Sequence, residues 1–342
     1  MENRFGLKRD VPAEIQRQVR QHCGFGCVVC GNAFYQYEHV DPEFTDAHEH
    51  DPTRIALLCG GCHDRVTRGA LSKETVKAHL QNPKCRQTGF SFGPFDIGPN
   101  APEIVVGSFR GRMTRSLISI DGESILAISP PEVSGGPFRI DADLRDIEGG
   151  QILAIESNCW RVPTTNWDVE VVGSRISVRC APRNIALVLR TEPPERLFIE
   201  RLEMNHRGTT VRCREGEFIE ITTPNGTVMR TGSVVADNCL VGVQVNGDSV
   251  ALGVGMGATS KVRIAEAKSR TPEGRRGLLI QNCTFGGNIQ NAVLVEGGRT
   301  PGKNPEKGRR IRQVPKNHRC PCGSGRKYKL CHGRTDGSPK SP

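Results

Sequence analysis

Cys27-Val28-Val29-Cys30, then Tyr37-Glu38-His39, then Leu57-Leu58-Cys59-Gly60-Gly61-Cys62-His63 form the stretch around which the chain is read. Two CxxC pairs are separated by 28 intervening residues. Each pair can present two thiolates from one tight turn to a tetrahedral ion, which makes the spacing a zinc signal. A structural ribbon needs no more than these four cysteines. Here the segment between the pairs also carries an acid next to a histidine, and a further histidine follows the last cysteine. That surplus points to chemistry.

The flanks are ordinary local structure. Residues 12 to 22 read as a helix, with Pro12 at a first helical position, Ile15 and Val19 on one face, and Arg17 and Arg20 on the surface. Gly24 and Gly26 break it. Residues 33 to 40 and 55 to 58 read as paired strands, the first ended by Asp41-Pro42, with a polar loop over 43 to 54 between them. Cys62 to Thr67 opens a short helix stopped by Gly69. Ser72 can cap another over 73 to 80, with Val76 and Leu80 on one face, and Asn82-Pro83 stops it.

The pattern Glu38-His39 followed by Cys62-His63 resembles the HNH nuclease family, in its four-cysteine zinc subtype with a ββα-metal fold. The resemblance covers residues 12 to 80. It implies His39 as general base, Glu38 and His63 as ligands of a catalytic Mg²⁺ or Mn²⁺, and Cys27, Cys30, Cys59 and Cys62 around a structural Zn²⁺. The chemistry agrees: phosphodiester hydrolysis needs a water activated by a base and a cation against the phosphate charge. One position departs from the family. Where Asn commonly stands, five residues before the third cysteine, this chain has Arg54. Arginine only donates hydrogen bonds and cannot copy an amide. His50, in the same loop, is the candidate for the missing brace or for a further metal ligand; the alternative reading makes His48 and His50 two solvated loop histidines. Arg54, Arg65 and Arg68 are candidate phosphate contacts, or solvated charges.

Beyond a Gly/Pro-rich boundary at 89 to 100, short alternating segments are separated by turn dipeptides, the mark of antiparallel sheet. Hairpins are expected over 116 to 129, turning at Asp121-Gly122, over 167 to 180, turning at Gly173-Ser174, and over 241 to 254, turning at Asn246-Gly247. Residues 185 to 189 and 197 to 202 add strands, and 278 to 296 reads as a final strand pair in preference to a rung of parallel β-helix. The expected class is α+β multidomain: an N-terminal ββα-metal HNH zinc domain (1 to 88), a central all-β sandwich or barrel (89 to 298), a linker (299 to 317) and a small C-terminal zinc knuckle (318 to 342).

The linker carries seven Lys and Arg residues against the single acid Glu306, and reads either as a solubilising tether or as a phosphate-contacting arm. The last unit has Cys320-Pro321-Cys322, then eight residues, then Cys331-His332. It resembles the SEC-C motif, an interaction module, which implies a second structural Zn²⁺ on Cys320, Cys322, Cys331 and His332. So short a unit takes most of its folding energy from the ion.

The chain has 342 residues, a net charge of +10 and 14 cysteines. The charge suits a polyanion, and double-stranded DNA is the expected partner, with a protein partner through the SEC-C motif or the β domain. No apolar run reaches membrane-span length and the N-terminus lacks an apolar signal segment, so a cytoplasmic protein without membrane contact is expected. The cysteines outside the two clusters (Cys23, Cys85, Cys159, Cys180, Cys213, Cys239, Cys283) read as small buried apolar residues, with Cys23 close enough to the first pair to be a spare ligand. Three readings compete: a metal-dependent DNA endonuclease, a nucleic-acid-binding zinc protein whose catalysis has decayed with the loss of the Asn, and an adaptor built on the SEC-C motif.

Overall fold

The structure is a computed structural model that describes residues 2 to 232 and 234 to 255, with the backbone of 261 to 264, 284 to 285 and 289 to 290. Met1–Gly297 form one compact unit; the second, Gly298–Pro342, lies outside the described residues.

The first 88 residues contain the expected local elements. Helix α1 (Ala13–Cys23) follows Pro12 and ends at Gly24, whose φ of 75° lets its N–H turn back onto the last carbonyls. Strands β1 (Tyr35–His39) and β2 (Ile55–Cys59) pair antiparallel, with Glu38 opposite Ala56 and His39 opposite Ile55. Helix α2 (Gly60–Thr67) starts directly at the second CxxC. Helix α3 (Lys73–Gln81) is capped by Ser72, whose Oγ accepts from the Thr75 N–H at 3.1 Å. A further turn of helix, α4 (Lys84–Thr88), starts at Pro83.

From residue 90 the chain is nearly all strand. The first eight are β3 (Phe90–Pro94), β4 (Glu103–Val106), β5 (Phe109–Arg112), β6 (Ser116–Ile120), β7 (Glu123–Ser129), β8 (Arg139–Arg145), β9 (Gln151–Glu156) and β10 (Cys159–Pro163). Then come β11 (Asp168–Val172), β12 (Arg175–Ala181), β13 (Asn184–Glu192), β14 (Arg196–His206), β15 (Thr209–Arg214) and β16 (Ile219–Thr222). The set closes with β17 (Val228–Thr231), β18 (Val234–Asp237), β19 (Val241–Asn246) and β20 (Ser249–Val254). A nine-stranded sheet has the order β20-β19-β6-β7-β8-β9-β10-β3, with Thr284–Phe285 beyond β20. A twelve-stranded sheet runs β11-β12-β13-β14-β4-β5-β18, continues through Lys261–Ile264 and Ile289–Gln290, and branches at β14 into β15, β16 and β17. Both sheets supply one core: Ile118, Leu144 and Trp160 from the first meet Val178, Leu189 and Ile221 from the second.

This architecture corrects the expected fold class. The described residues are dominated by sheets of nine and twelve strands, their helices are few and short, and they give no evidence of a ββα-metal HNH domain in an α+β protein. The two-stranded β1–β2 ladder and α2 are a small part of a mainly β molecule. Local periodicity identified the short elements but could not weigh them against the bulk of the chain.

Three further expectations change. The sheets are not purely antiparallel: β4 runs parallel to β14, β5 to β18, and β6 to β19. The hairpins turning at Asp121-Gly122 and Gly173-Ser174 form where expected. The third is displaced by one residue, because Asn246 is still in the ladder opposite Ser249 and the turn falls on Gly247 and Asp248. Thr284–Phe285 and Ile289–Gln290 do not pair with each other but extend different sheets.

Arg20 is the last correction in this region. It is 4% exposed, not a surface residue. Its Nε and Nη2 donate to both oxygens of Asp168 on β11, at 2.9 and 2.8 Å, and Asp168 is 1% exposed. Arg179 also reaches Asp168 at 3.2 Å. The Arg20 Nη1 donates to the Tyr37 hydroxyl at 3.1 Å, so the clamp ends on β1, one residue from Glu38. A second seam lies at the first cysteine pair, where the Ala33 N–H donates to the Phe92 carbonyl of β3 at 2.8 Å. These two seams fix the Cys27–His63 stretch against both large sheets.

Candidate metal centre and the neighbouring cleft

The sulfurs of Cys27, Cys30, Cys59 and Cys62 all lie within 4.8 Å of one another. Cys30 Sγ and Cys59 Sγ are 3.6 Å apart. Zinc–sulfur bonds of ≈ 2.3 Å in a tetrahedron place sulfurs about 3.8 Å apart, so the four thiols are close enough to take up the ion with small shifts. Local backbone explains how. The Val28 N–H donates to the Leu57 carbonyl at 2.9 Å, which lays the first cysteine turn against β2. Cys59 caps α2, its Sγ accepting from the Cys62 N–H at 3.4 Å.

The electrostatics suit a cation. A hydrogen bond from Cys30, helped by the backbone N–H groups of Cys59, Cys30 and Val29 against the cost of burial, lowers the Cys27 thiol to about 5. Burial, then the charge on Cys27, pushes Cys62 up to about 12. One thiolate therefore makes the next harder to form, and a bound Zn²⁺ removes that conflict. Cys23 does not join the set: it is buried, and burial raises its thiol to about 12. Cys85, Cys213 and Cys239 are buried as expected, Cys159 and Cys180 are half-buried, and Cys283 lies outside the described residues.

Beside the cluster, β1 and α2 bring Glu38 and His63 together, with Glu38 Oε2 3.3 Å from His63 Nε2. Adjacent octahedral ligands around Mg²⁺, with bonds of 2.0–2.1 Å, lie about 2.9 Å apart, so this pair fits two corners of such an ion. Their side chains are 26% and 34% exposed, which leaves them reachable from solvent. His39, the next residue on β1, is 8% exposed. Burial first, then the repulsion that His50 exerts when protonated and that of Arg9, lower its imidazole to about 4, which keeps it neutral. Glu38 and His39 both line an open cleft of about 630 Å³, which Arg9, Gln36, Phe44 and Lys73 also border. The Arg9 guanidinium lies 5.5 Å from the centre of the Phe44 ring.

The loop residues are placed as follows. His50 uses both ring nitrogens: Nδ1 is 3.1 Å from His39 Nε2, and Nε2 is 3.0 Å from the Lys8 carbonyl. His48 stacks on Phe5 with ring centres 3.8 Å apart. Arg54 is exposed, pairs with Asp51 at 3.2 Å and reaches the Asp41 carbonyl at 3.4 Å, while its own carbonyl accepts from the Val40 N–H at 3.0 Å. It thus spans the two ends of the polar loop. Arg65 on α2 and Arg68 directly after it are exposed, with Arg68 paired to Asp64 at 2.9 Å. Sequence reasoning missed Arg9 in the cleft wall and the Lys8 carbonyl. Neither carries a motif, and both belong to an N-terminal arm fastened by the Asn3 side chain, which donates to the Phe44 and Ala47 carbonyls at 2.6 and 2.7 Å.

The described residues thus define a β-rich protein with a four-cysteine cluster able to hold a metal ion beside an acid–histidine pair. Residues 317–334 match the SEC-C motif, which takes in Cys320, Cys322, Cys331 and His332. The chain is similar to protein translocase subunit SecA of Rubrobacter xylanophilus, 38% identical over 82 residues, which is 20% of this chain and 9% of that protein. It is also similar to SecA of Campylobacter lari, 40% identical over 55 residues, or 16% of this chain and 6% of that protein. The chain therefore spans less than a tenth of either relative. No solved structure matches it. Among the described residues, no helix is long and apolar enough to cross a membrane.

Proposed function

We propose that this protein is a metal-dependent endonuclease that hydrolyses phosphodiester bonds of DNA. The reading takes its residues, and not its fold class, from the resemblance of Glu38-His39 and Cys62-His63 to HNH nucleases. The observation that carries it is the 3.3 Å approach of Glu38 to His63, with His39 next in the chain and on the same cleft. Residues 25 apart in sequence meet there with the functional groups that hydrolysis requires.

In this reading His39 accepts the proton of the attacking water, which a neutral imidazole can do. Glu38 and His63 would hold Mg²⁺ or Mn²⁺, which when bound offsets charge on the phosphate and the leaving oxygen. The four cysteines would hold Zn²⁺, which would fix α2, and so His63, against β2. Arg9, which lines the cleft, and the exposed Arg65 and Arg68 would supply phosphate contacts, and the net charge of +10 favours a polyanion. The SEC-C motif, with its own Zn²⁺, serves a protein partner.

The test is cleavage of supercoiled plasmid by the zinc-loaded chain with added Mg²⁺ or Mn²⁺. Cutting that is lost in His39→Ala supports the reading. Salt-sensitive DNA binding with no cutting under either metal would leave a nucleic-acid-binding protein with decayed catalysis. No binding at all would leave an adaptor built on the SEC-C motif.

A further inference from the structure

His39, His50 and the Lys8 carbonyl form a line of hydrogen-bonding groups that no motif announces. His50 Nε2 lies 3.0 Å from the Lys8 carbonyl, and His50 Nδ1 lies 3.1 Å from His39 Nε2. A carbonyl oxygen only accepts, so the proton of that contact sits on His50 Nε2. A neutral imidazole carries one proton, which leaves His50 Nδ1 as an acceptor. The proton between the rings must then belong to His39 Nε2. The remaining nitrogen of His39, Nδ1, takes part in neither contact and keeps its lone pair.

We infer that His50 is a positioning residue that sets the tautomer of His39, so that His39 Nδ1 is the atom that accepts the proton. This rests on the endonuclease reading for its catalytic meaning, though the tautomer itself does not. The packing supports a fixed geometry. The His39 and His50 rings are 5.2 Å apart at their centres, and Phe44 meets His39 edge-on at 5.4 Å. Lys8 is held in turn, because the Asn3 Oδ1 accepts from the Leu7 N–H at 2.9 Å and the Asn3 amide is tied to the Phe44 and Ala47 carbonyls. The N-terminal arm therefore orients the base from the far side of the loop. The arrangement supplies an acceptor beside His39, although Arg54 stands where the related nucleases have Asn.

The experiment uses the full zinc-loaded chain with ¹⁵N-labelled histidines at pH 8, where histidine with a usual value of ≈ 6.5 is neutral. His39 is expected to carry its proton on Nε2 in the wild type. His50→Asn keeps an acceptor oxygen and should preserve that tautomer, whereas His50→Leu should release it into a mixture. A wild-type His39 protonated on Nδ1, or a tautomer unmoved by His50→Leu, would overturn the inference. Plasmid cleavage gives the second readout. His50→Leu should lose about 10²-fold in kcat at unchanged KM, the scale of a misplaced reacting group, and His50→Asn should recover most of it. Equal losses in both variants count against positioning. If the wild type cuts no DNA, the endonuclease reading falls and the tautomer measurement alone decides this one.

Discussion

The molecule holds two cores of unequal means. The sheets bury Trp160, Phe109, Leu117, Leu126 and some forty residues in all in one continuous cluster. The N-terminal part has a separate core of fourteen buried residues, two of which, Cys27 and Cys62, belong to the four-thiol cluster. Burial of apolar surface stabilises by roughly 25 cal/mol per Å², so the large core can hold its sheets on packing alone. The small one is of the size at which proteins generally need a metal or a disulfide. No disulfide is present among the described cysteines. The difference teaches where the site's geometry comes from. The acid–histidine pair, His39 and the cleft lie where the chain gathers four thiols and is joined by two seams to the large sheets.

Metal removal should break this comparison most visibly. Structural zinc contributes about 10–16 kcal/mol of apparent binding energy in small domains near pH 7. Chelation, or Cys59→Ser, is expected to unfold the N-terminal core while the sheets persist. Hydrogen exchange resolved by segment checks this: protection should vanish over 27–63 and remain over 116–129. Loss of protection in both would mean that the sheets also depend on the ion.

Arg20→Ala tests the seam. It leaves the buried Asp168 carboxylate facing Arg179 alone, and breaking a buried pair typically costs about 3–5 kcal/mol. Denaturant melting should show that loss, with zinc content unchanged. A cost below about 1 kcal/mol would place the pair among ordinary surface contacts.

His39→Ala should lower kcat by about 10²–10⁴-fold while zinc content stays as in the wild type. Glu38→Ala and His63→Ala should raise the concentration of Mg²⁺ needed for half-maximal rate. A metal requirement equal to that of the wild type would remove them from the metal site. Ser72→Ala should cost about 1 kcal/mol, confined to exchange over α3. Deleting residues 318–342 should have the smallest effect on either core, lowering bound zinc by one ion per chain and leaving cleavage intact. Elemental analysis and the plasmid assay read both halves of that expectation.

Sequence by itself determined what is fixed within a few residues. The CxxC pairs announced a metal centre because two thiolates three residues apart belong to one turn. Ser72 announced α3 because its hydroxyl reaches an N–H three residues on. Asp121-Gly122 announced its hairpin because both residues take positive φ, 47° and 81°, in the tight turn. The acid–histidine pair and His63 were legible as a pattern, but their 3.3 Å approach was not, since it depends on the β1–β2 register and on α2 starting at Gly60. Tertiary structure alone decided that β4 lies parallel to β14, that Arg20 is buried against a partner 148 residues away, and that Lys8 presents its carbonyl to His50. It also decided the class, because a fold is set by which large surfaces find one another. Such surfaces leave no short-range mark in the chain. A charged side chain reads as solvated until the opposite charge that accompanies it into the interior has been located.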